Sequence, residues 1–168
     1  NELCGKKVGF VGFGAVGKHA AKILEAYGCE ISFYDPFVDF VKDTYKKCEL
    51  EEIFENSDIV SIHLPVLDST KGMINAEFFA KMKETAIFVN TARSAVVDEP
   101  ALMEVLKAKK IRGAIVLEVE PPTEEALEIA RLDNVLLTPH ICGATYEVTD
   151  HQSRIMADRI DAWMKENK

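Results

Sequence analysis

Residues 8 to 17 read VGFVGFGAVG: an apolar run, then Gly12, Gly14 and Gly17 at the spacing G-x-G-x-x-G. Alone, that spacing turns up often by chance, so its surroundings decide the reading. Before it, KKVGFV (Lys6 to Val11) has the length and composition of a buried strand. After it, Val16 to Tyr27 has the pattern of a helix packed on one side. A second strand-like run, CEISFY, is closed by Asp35, 18 residues after Gly17. A strand, a glycine turn opening a helix and a second strand ending in an acid are the full context of a dinucleotide site.

Each part of that context has a physical task. Gly12 permits the tight turn, Gly14 lets the backbone approach a diphosphate, and Gly17 lets the helix pack against the strand. The N–H groups opening the helix then face the phosphates. Asp35 is placed to accept both hydroxyls of the adenosine ribose, and its charge repels a 2′-phosphate. With no Arg following Asp35, the expected cofactor is NAD rather than NADP.

The rest of the chain repeats the alternation. DIVSIHL, TAIFVN, IRGAIVL and NVLLT read as further buried strands, giving six in all. Helical stretches are expected at Leu50 to Asn56, Asn75 to Met82, Glu99 to Lys109, Thr123 to Ala130, and Thr145 to Met164. Parallel strands joined by helical crossovers fold into a doubly wound α/β sheet of Rossmann type, with helices on both faces. The 168 residues are expected to form one dinucleotide-binding domain, with a linker helix at about residues 1–5 and a return helix at about 145–166.

Composition narrows the partners. The formal net charge is −8 with no basic block, which disfavours nucleic acid and anionic membranes. The longest apolar runs are too short to cross a bilayer. Cys4, Cys29, Cys48 and Cys142 form no C-x-x-C pair, so a reduced, cytoplasmic setting with free, buried thiols is expected and no metal site. A start at Asn1 without a signal-like stretch is expected of a piece of a longer, non-exported protein.

Ligands of such sheets lie beyond the carboxyl ends of the strands, and here those ends are polar. They read HLPVLDSTKG, NTARS, EVEPP and TPHICGAT. With these motifs in this order, and MKETAIFVNTARSAVVDEPAL and VEPPTEEALEIARLDNVLLTPHICGAT around them, nearly the whole chain resembles the cofactor domain of the D-isomer-specific 2-hydroxyacid dehydrogenases.

That resemblance implies roles residue by residue. Arg93 of NTARS is expected to bind the substrate carboxylate, since a planar guanidinium matches a carboxylate through two parallel hydrogen bonds. His140 of TPH and Glu120 of VEPP are the implied acid–base pair: the imidazole gives a proton to the carbonyl oxygen as hydride arrives, and the carboxylate orients the ring and favours its charged form. Further cofactor contacts are implied at Ala15 and Val16 on the diphosphate turn and at Leu64, Pro65, Thr70, Thr91, Ala92 and Gly143, beside Arg93 and His140. Asn90 and Asp98 are as suited to bracing loops as to touching NAD, and His63 is expected on the cofactor rim. Ser94 replaces the usual Gly or Ala, and IRGAIVLEVEPP is two residues shorter than the family pattern and lacks its Asp.

The implied activity is hydride transfer between NAD and a small 2-hydroxy or 2-keto acid. Little turnover is expected of this polypeptide alone, because the family's second, substrate domain is not in the sequence. A homodimer is implied, chiefly through AVVDEPALMEVL. A non-catalytic NAD(H) sensor, or an isolated domain with little turnover, is the alternative.

Overall fold

Lys7–Val11 forms strand β1 inside a parallel sheet, buried on both faces because Val8 and Phe10 join one apolar cluster and Val11 the other. The structure, a computed structural model, describes residues 2–117 and 124–167. It divides into two compact units, Asn1–Thr138 and Pro139–Lys168.

In the first unit, β1 leads into α1 (Ala15–Ala26), β2 (Glu30–Tyr34), β3 (Tyr45–Lys47), α2 (Leu50–Asn56), β4 (Ile59–Ile62) and α3 (Ala76–Lys81). Then come β5 (Ile87–Asn90), α4 (Glu99–Lys107), β6 (Gly113–Val116), α5 (Glu124–Ile129) and β7 (Val135–Leu137). The seven strands lie in the order β3-β2-β1-β4-β5-β6-β7, every pair parallel. The direction of winding reverses between β1 and β4, so the crevice for a ligand opens there.

Two expectations need correction. The sheet has a seventh strand, β3, which the sequence hid because YKK is short and its two lysines are exposed at the sheet edge. Where a linker helix is expected near residues 1–5, residues 3–6 form a turn: the Lys6 N–H donates to the Leu3 carbonyl at 3.0 Å and the Gly5 N–H to the Gly28 carbonyl at 2.8 Å.

The helix starts follow local chemistry. Asn75 caps α3 by accepting the Glu77 N–H at 2.9 Å, and Asp98 caps α4 by accepting the Ala101 N–H at 3.1 Å. Glu49 and Glu52 form a reciprocal capping box on α2. One sheet face packs Val8, Phe10, Ile31 and Phe33 under α1, with Phe13 stacked on Phe33 at 4.3 Å between ring centroids. The other packs Val11, Val60, Ile62, Phe88, Ala114 and Val116 under α2, α3 and α4. Val96, Val97, Leu102, Val105 and Leu106 from the segment expected at a dimer contact are buried in this second cluster.

The second unit carries α6 (Val148–Glu166), which starts three residues later than Thr145 because Tyr146 and Glu147 form a turn. Cys29 and Cys48 are buried and Cys4 and Cys142 exposed, all four free, so only half of the thiols follow the buried expectation. Among the described residues, no helix is long and apolar enough to cross a membrane.

Candidate functional site

The glycine turn is built by close approach. Gly12 has φ +88°, and a Cβ there would lie 2.7 Å from the His63 carbonyl oxygen. A Cβ at Gly17 would lie 2.7 Å from the Gly12 carbonyl oxygen. Gly14 differs, because a Cβ there would meet nothing within 4 Å. Gly14 is also the N-cap of α1, with no side chain capping the helix. The N-terminal turn of α1 therefore has open space at Gly14, with the polarity of a helix start and room for a diphosphate.

Asp35 closes β2 and is tied to that turn. One carboxylate oxygen accepts the Phe13 N–H at 2.7 Å and the other accepts the Phe37 N–H at 2.8 Å. Each oxygen keeps a lone pair for a ribose hydroxyl, and the orientation of the acid is fixed before a ligand arrives.

Beyond β1, β4 and β5 lies a cavity of about 530 Å³ lined by Val16, His63, Leu64, Pro65, Val66, Thr91, Ala92 and Arg93. Strand register produces this grouping: Val11 pairs with Ile62, and Ile62 with Asn90, so the segments leaving the strands begin level. Buried Asn90 braces the NTARS loop, its side-chain oxygen accepting the Ala92 N–H and its amide donating to the Arg93 carbonyl, both at 3.0 Å. Arg93 itself is exposed on the rim, its Nη1 donating to the Ala92 carbonyl at 2.7 Å.

Thr70 is buried, and its hydroxyl donates to the Pro65 carbonyl at 2.6 Å and accepts the Leu67 N–H at 2.8 Å, so it shapes the loop that carries Leu64 and Pro65. Ser94 is buried in a 3₁₀ turn, Ser94–Val96. Its φ is not positive, so the position does not require glycine. The short β6 still pairs along all four residues with β5. His140 and Gly143 lie in the second unit, both exposed. Glu120 and the neighbouring Glu118 lie outside the described residues.

Two features of the site were absent from the sequence reading. Val66 joins the cavity wall directly after Leu64 and Pro65, a continuation that could have been followed. Ser61 supports His63, with Oγ and Nε2 2.9 Å apart, and residues i and i+2 of a strand do share a face. The His63 ring also stacks on Phe10 at 5.6 Å. Burial holds the His63 imidazole below its ordinary pKa.

The neutral ring is therefore the form the fold prefers. As pH drops below the unfolded value of about 6.5, the unfolded chain takes up the proton first, and stability falls until the lower folded pKa is passed. His63→Gln, which stays neutral, is expected to remove this slope from a plot of melting temperature against pH. An unaltered slope in the variant would assign it to another group.

A doubly wound sheet with a glycine turn at the switch point, an acid closing β2 and an arginine on the crevice rim defines a dinucleotide-binding domain of the dehydrogenase class. Residues 1–142 match the family described as D-isomer specific 2-hydroxyacid dehydrogenase, NAD binding domain, and the chain belongs to that family. It is 49% identical over 168 residues to YoaD of Bacillus subtilis, covering 99% of this chain and 49% of YoaD. Among solved structures it is similar to the acyclic imino acid reductase Bsp5 in complex with NADPH and D-Arg, at a TM-score of 0.87 and 27% identity over 99% of this chain and 53% of that one. It is also similar to the D-lactate dehydrogenase of Aquifex aeolicus complexed with NAD and lactic acid, at a TM-score of 0.84 and 28% identity over 99% of this chain and 55% of that one. The chain spans about half the length of these proteins.

Proposed function

We propose that this chain is the cofactor half of an NAD-dependent dehydrogenase that interconverts 2-keto acids and D-2-hydroxy acids. The observation that carries the reading is the exposed Arg93 guanidinium on the wall of the cavity shared by the loops leaving β4 and β5. When bound, NADH supplies the hydride. Gly14, Ala15 and Val16 hold its diphosphate and Asp35 its adenosine ribose, while Leu64, Pro65, Thr91 and Ala92 wall the path toward the reacting end. Thr70 acts on this site by holding the Pro65–Leu67 loop.

Arg93 receives the substrate carboxylate through its two-pronged donor face, which sets the keto carbon in one orientation. His140 donates a proton to the carbonyl oxygen as negative charge builds there, with Glu120 as its orienting partner, and Gly143 completes the cofactor contacts. In the reverse direction the neutral imidazole takes the proton back. The reading includes a homodimer through this domain and a reducing cytoplasmic setting, the latter supported by four free cysteines.

The test joins this chain to a substrate domain from a relative and follows NADH oxidation over a panel of 2-keto acids, with the 168-residue chain alone beside it. The joined protein is expected to reduce at least one acid, and the chain alone to bind NADH with little turnover. Arg93→Ala is expected to cost the joined protein on the order of a hundredfold in kcat/KM, from loss of a charge-assisted, two-pronged contact. A joined protein that binds NADH and reduces no acid would point to a sensor and overturn the catalytic reading.

A further inference from the structure

Cys4 stands shortly before β1 and Cys29 directly before β2. These strands are paired in parallel, Lys7 with Glu30, so the segments that enter them run side by side. Hydrogen bonds tie the two segments together around the cysteines: the Gly5 N–H donates to the Gly28 carbonyl at 2.8 Å and the Glu30 N–H to the Lys6 carbonyl at 2.9 Å. Backbones joined in this way lie about 5 Å apart, and a disulfide spans about 4.4–6.8 Å between its α-carbons. Each thiol also reaches the backbone beside the other. The Cys29 thiol donates at 3.3 Å to the Leu3 carbonyl, which is bonded to the Cys4 nitrogen, and Cys4 Sγ lies 3.0 Å from where a Cβ on Gly28 would stand. The two differ in access: Cys4 is exposed and Cys29 buried. Burial, and second to it negative charge on the nearby Cys4 sulfur, hold the Cys29 thiol above its ordinary pKa. Neither other cysteine shares this arrangement, since Cys48 belongs to the second apolar cluster and Cys142 to the second unit.

We propose that Cys4 and Cys29 form a redox-sensitive clasp, which a small-molecule disulfide closes by oxidising the two thiols to one disulfide between the segment entering β1 and the segment entering β2. Cys4, the accessible thiol, gives its proton to water and attacks one sulfur of the small disulfide, so a mixed disulfide forms and one thiolate leaves. Cys29 then gives its proton to water and attacks the Cys4 sulfur, and the second thiolate leaves. Two protein thiols are oxidised, one small disulfide is reduced, and the two released protons complete its thiols. The closed ring takes in β1, the glycine turn and α1, so the unfolded chain loses freedom and the unit gains stability. The clasp lies at the amino ends of the strands, opposite the crevice at their carboxyl ends, so cofactor binding does not depend on it. In a reducing setting the pair rests open as two thiols.

The test incubates the 168-residue chain with oxidised glutathione, blocks the remaining thiols with iodoacetamide in denaturant, and maps peptides by mass spectrometry without reduction. A peptide joining Cys4 to Cys29 is expected, and dithiothreitol is expected to release it. The melting temperature of the oxidised chain is expected to rise by about 5–10 °C, with NADH affinity unchanged. Cys4→Ser is expected to melt as the reduced wild type does, because the side chain is exposed, and to lose the rise on oxidation. Cys4 carrying glutathione while Cys29 is blocked by iodoacetamide overturns the clasp, as does a Cys4 disulfide between two copies of the chain. A joined pair that leaves the melting temperature where it was overturns its stabilising role, and loss of NADH binding on closure overturns its independence of the crevice.

Discussion

Gly12→Val is expected to abolish NADH binding and to destabilise the first unit by about 3 kcal/mol or more. Two effects add. A β-branched residue is poorly accommodated at φ +88°, and its Cβ would sit 2.7 Å from the oxygen and 2.9 Å from the carbon of the His63 carbonyl. That carbonyl belongs to backbone, so it cannot swing aside as a flexible side chain can. Displacing the turn also displaces the Gly12 carbonyl against which Gly17 packs, and the Gly12 N–H that donates to Tyr34 at 2.9 Å. Gly14→Ala separates fold from function: its methyl would enter open space, so melting is expected to stay near wild type while NADH affinity falls about tenfold or more as the diphosphate loses room. Urea unfolding and NADH titration of the two variants check this. Wild-type NADH affinity in Gly12→Val, or unchanged affinity in Gly14→Ala, would sink the assignment of the turn.

The fold was legible wherever a segment was long enough to show its period. Leu50 to Asn56 has the bounds read from sequence, and α1 and α3 differ by one residue at each end. What escaped depended on position rather than pattern. The strand Tyr45–Lys47 has too few residues to alternate, and exposed lysines at a sheet edge look like loop. Leu3 to Gly5 could not show a helical period either, and Gly5 at φ +73° turns the chain there.

The grouping of the segments that leave β4 and β5 was legible for the same reason the fold was. In a parallel sheet the strand ends are level, so residues that follow separate strands fall around one crevice, as His63, Leu64, Thr91 and Arg93 do. The contact that ties Asp35 to the glycine turn could not be read, because Asp35 and Phe13 are 22 residues apart and meet only through the pairing of β1 with β2. The AVVDEPALMEVL segment shows the opposite case. Its apolar residues invite an interface, yet Val96, Leu102, Val105 and Leu106 go to the unit's own core, and composition cannot tell one destination from the other.

Asp35→Ala is expected to weaken NADH by tenfold to a hundredfold and to narrow the preference for NADH over NADPH by at least as much, in keeping with the loss of hydrogen bonds to a charged acceptor, worth about 1.5–3 kcal/mol. The sheet cannot set this preference, because Bsp5 shares it and is complexed with NADPH while the Aquifex aeolicus enzyme is complexed with NAD. A carboxylate at the end of β2 can, since a 2′-phosphate beside it places like charges within a few ångströms. The alanine variant has a second consequence here. It strips the acceptor from the Phe13 and Phe37 N–H groups, so the turn loosens and some affinity is lost for both cofactors alike. Asp35→Asn separates the two effects, because the amide oxygen still accepts one N–H while the charge is gone. The ratio of the NADPH and NADH dissociation constants is therefore expected to fall in both variants, and the melting temperature mainly in alanine. If both ratios stay at the wild-type value while affinity drops, Asp35 serves only to hold the glycine turn, and cofactor choice must be made elsewhere in the crevice.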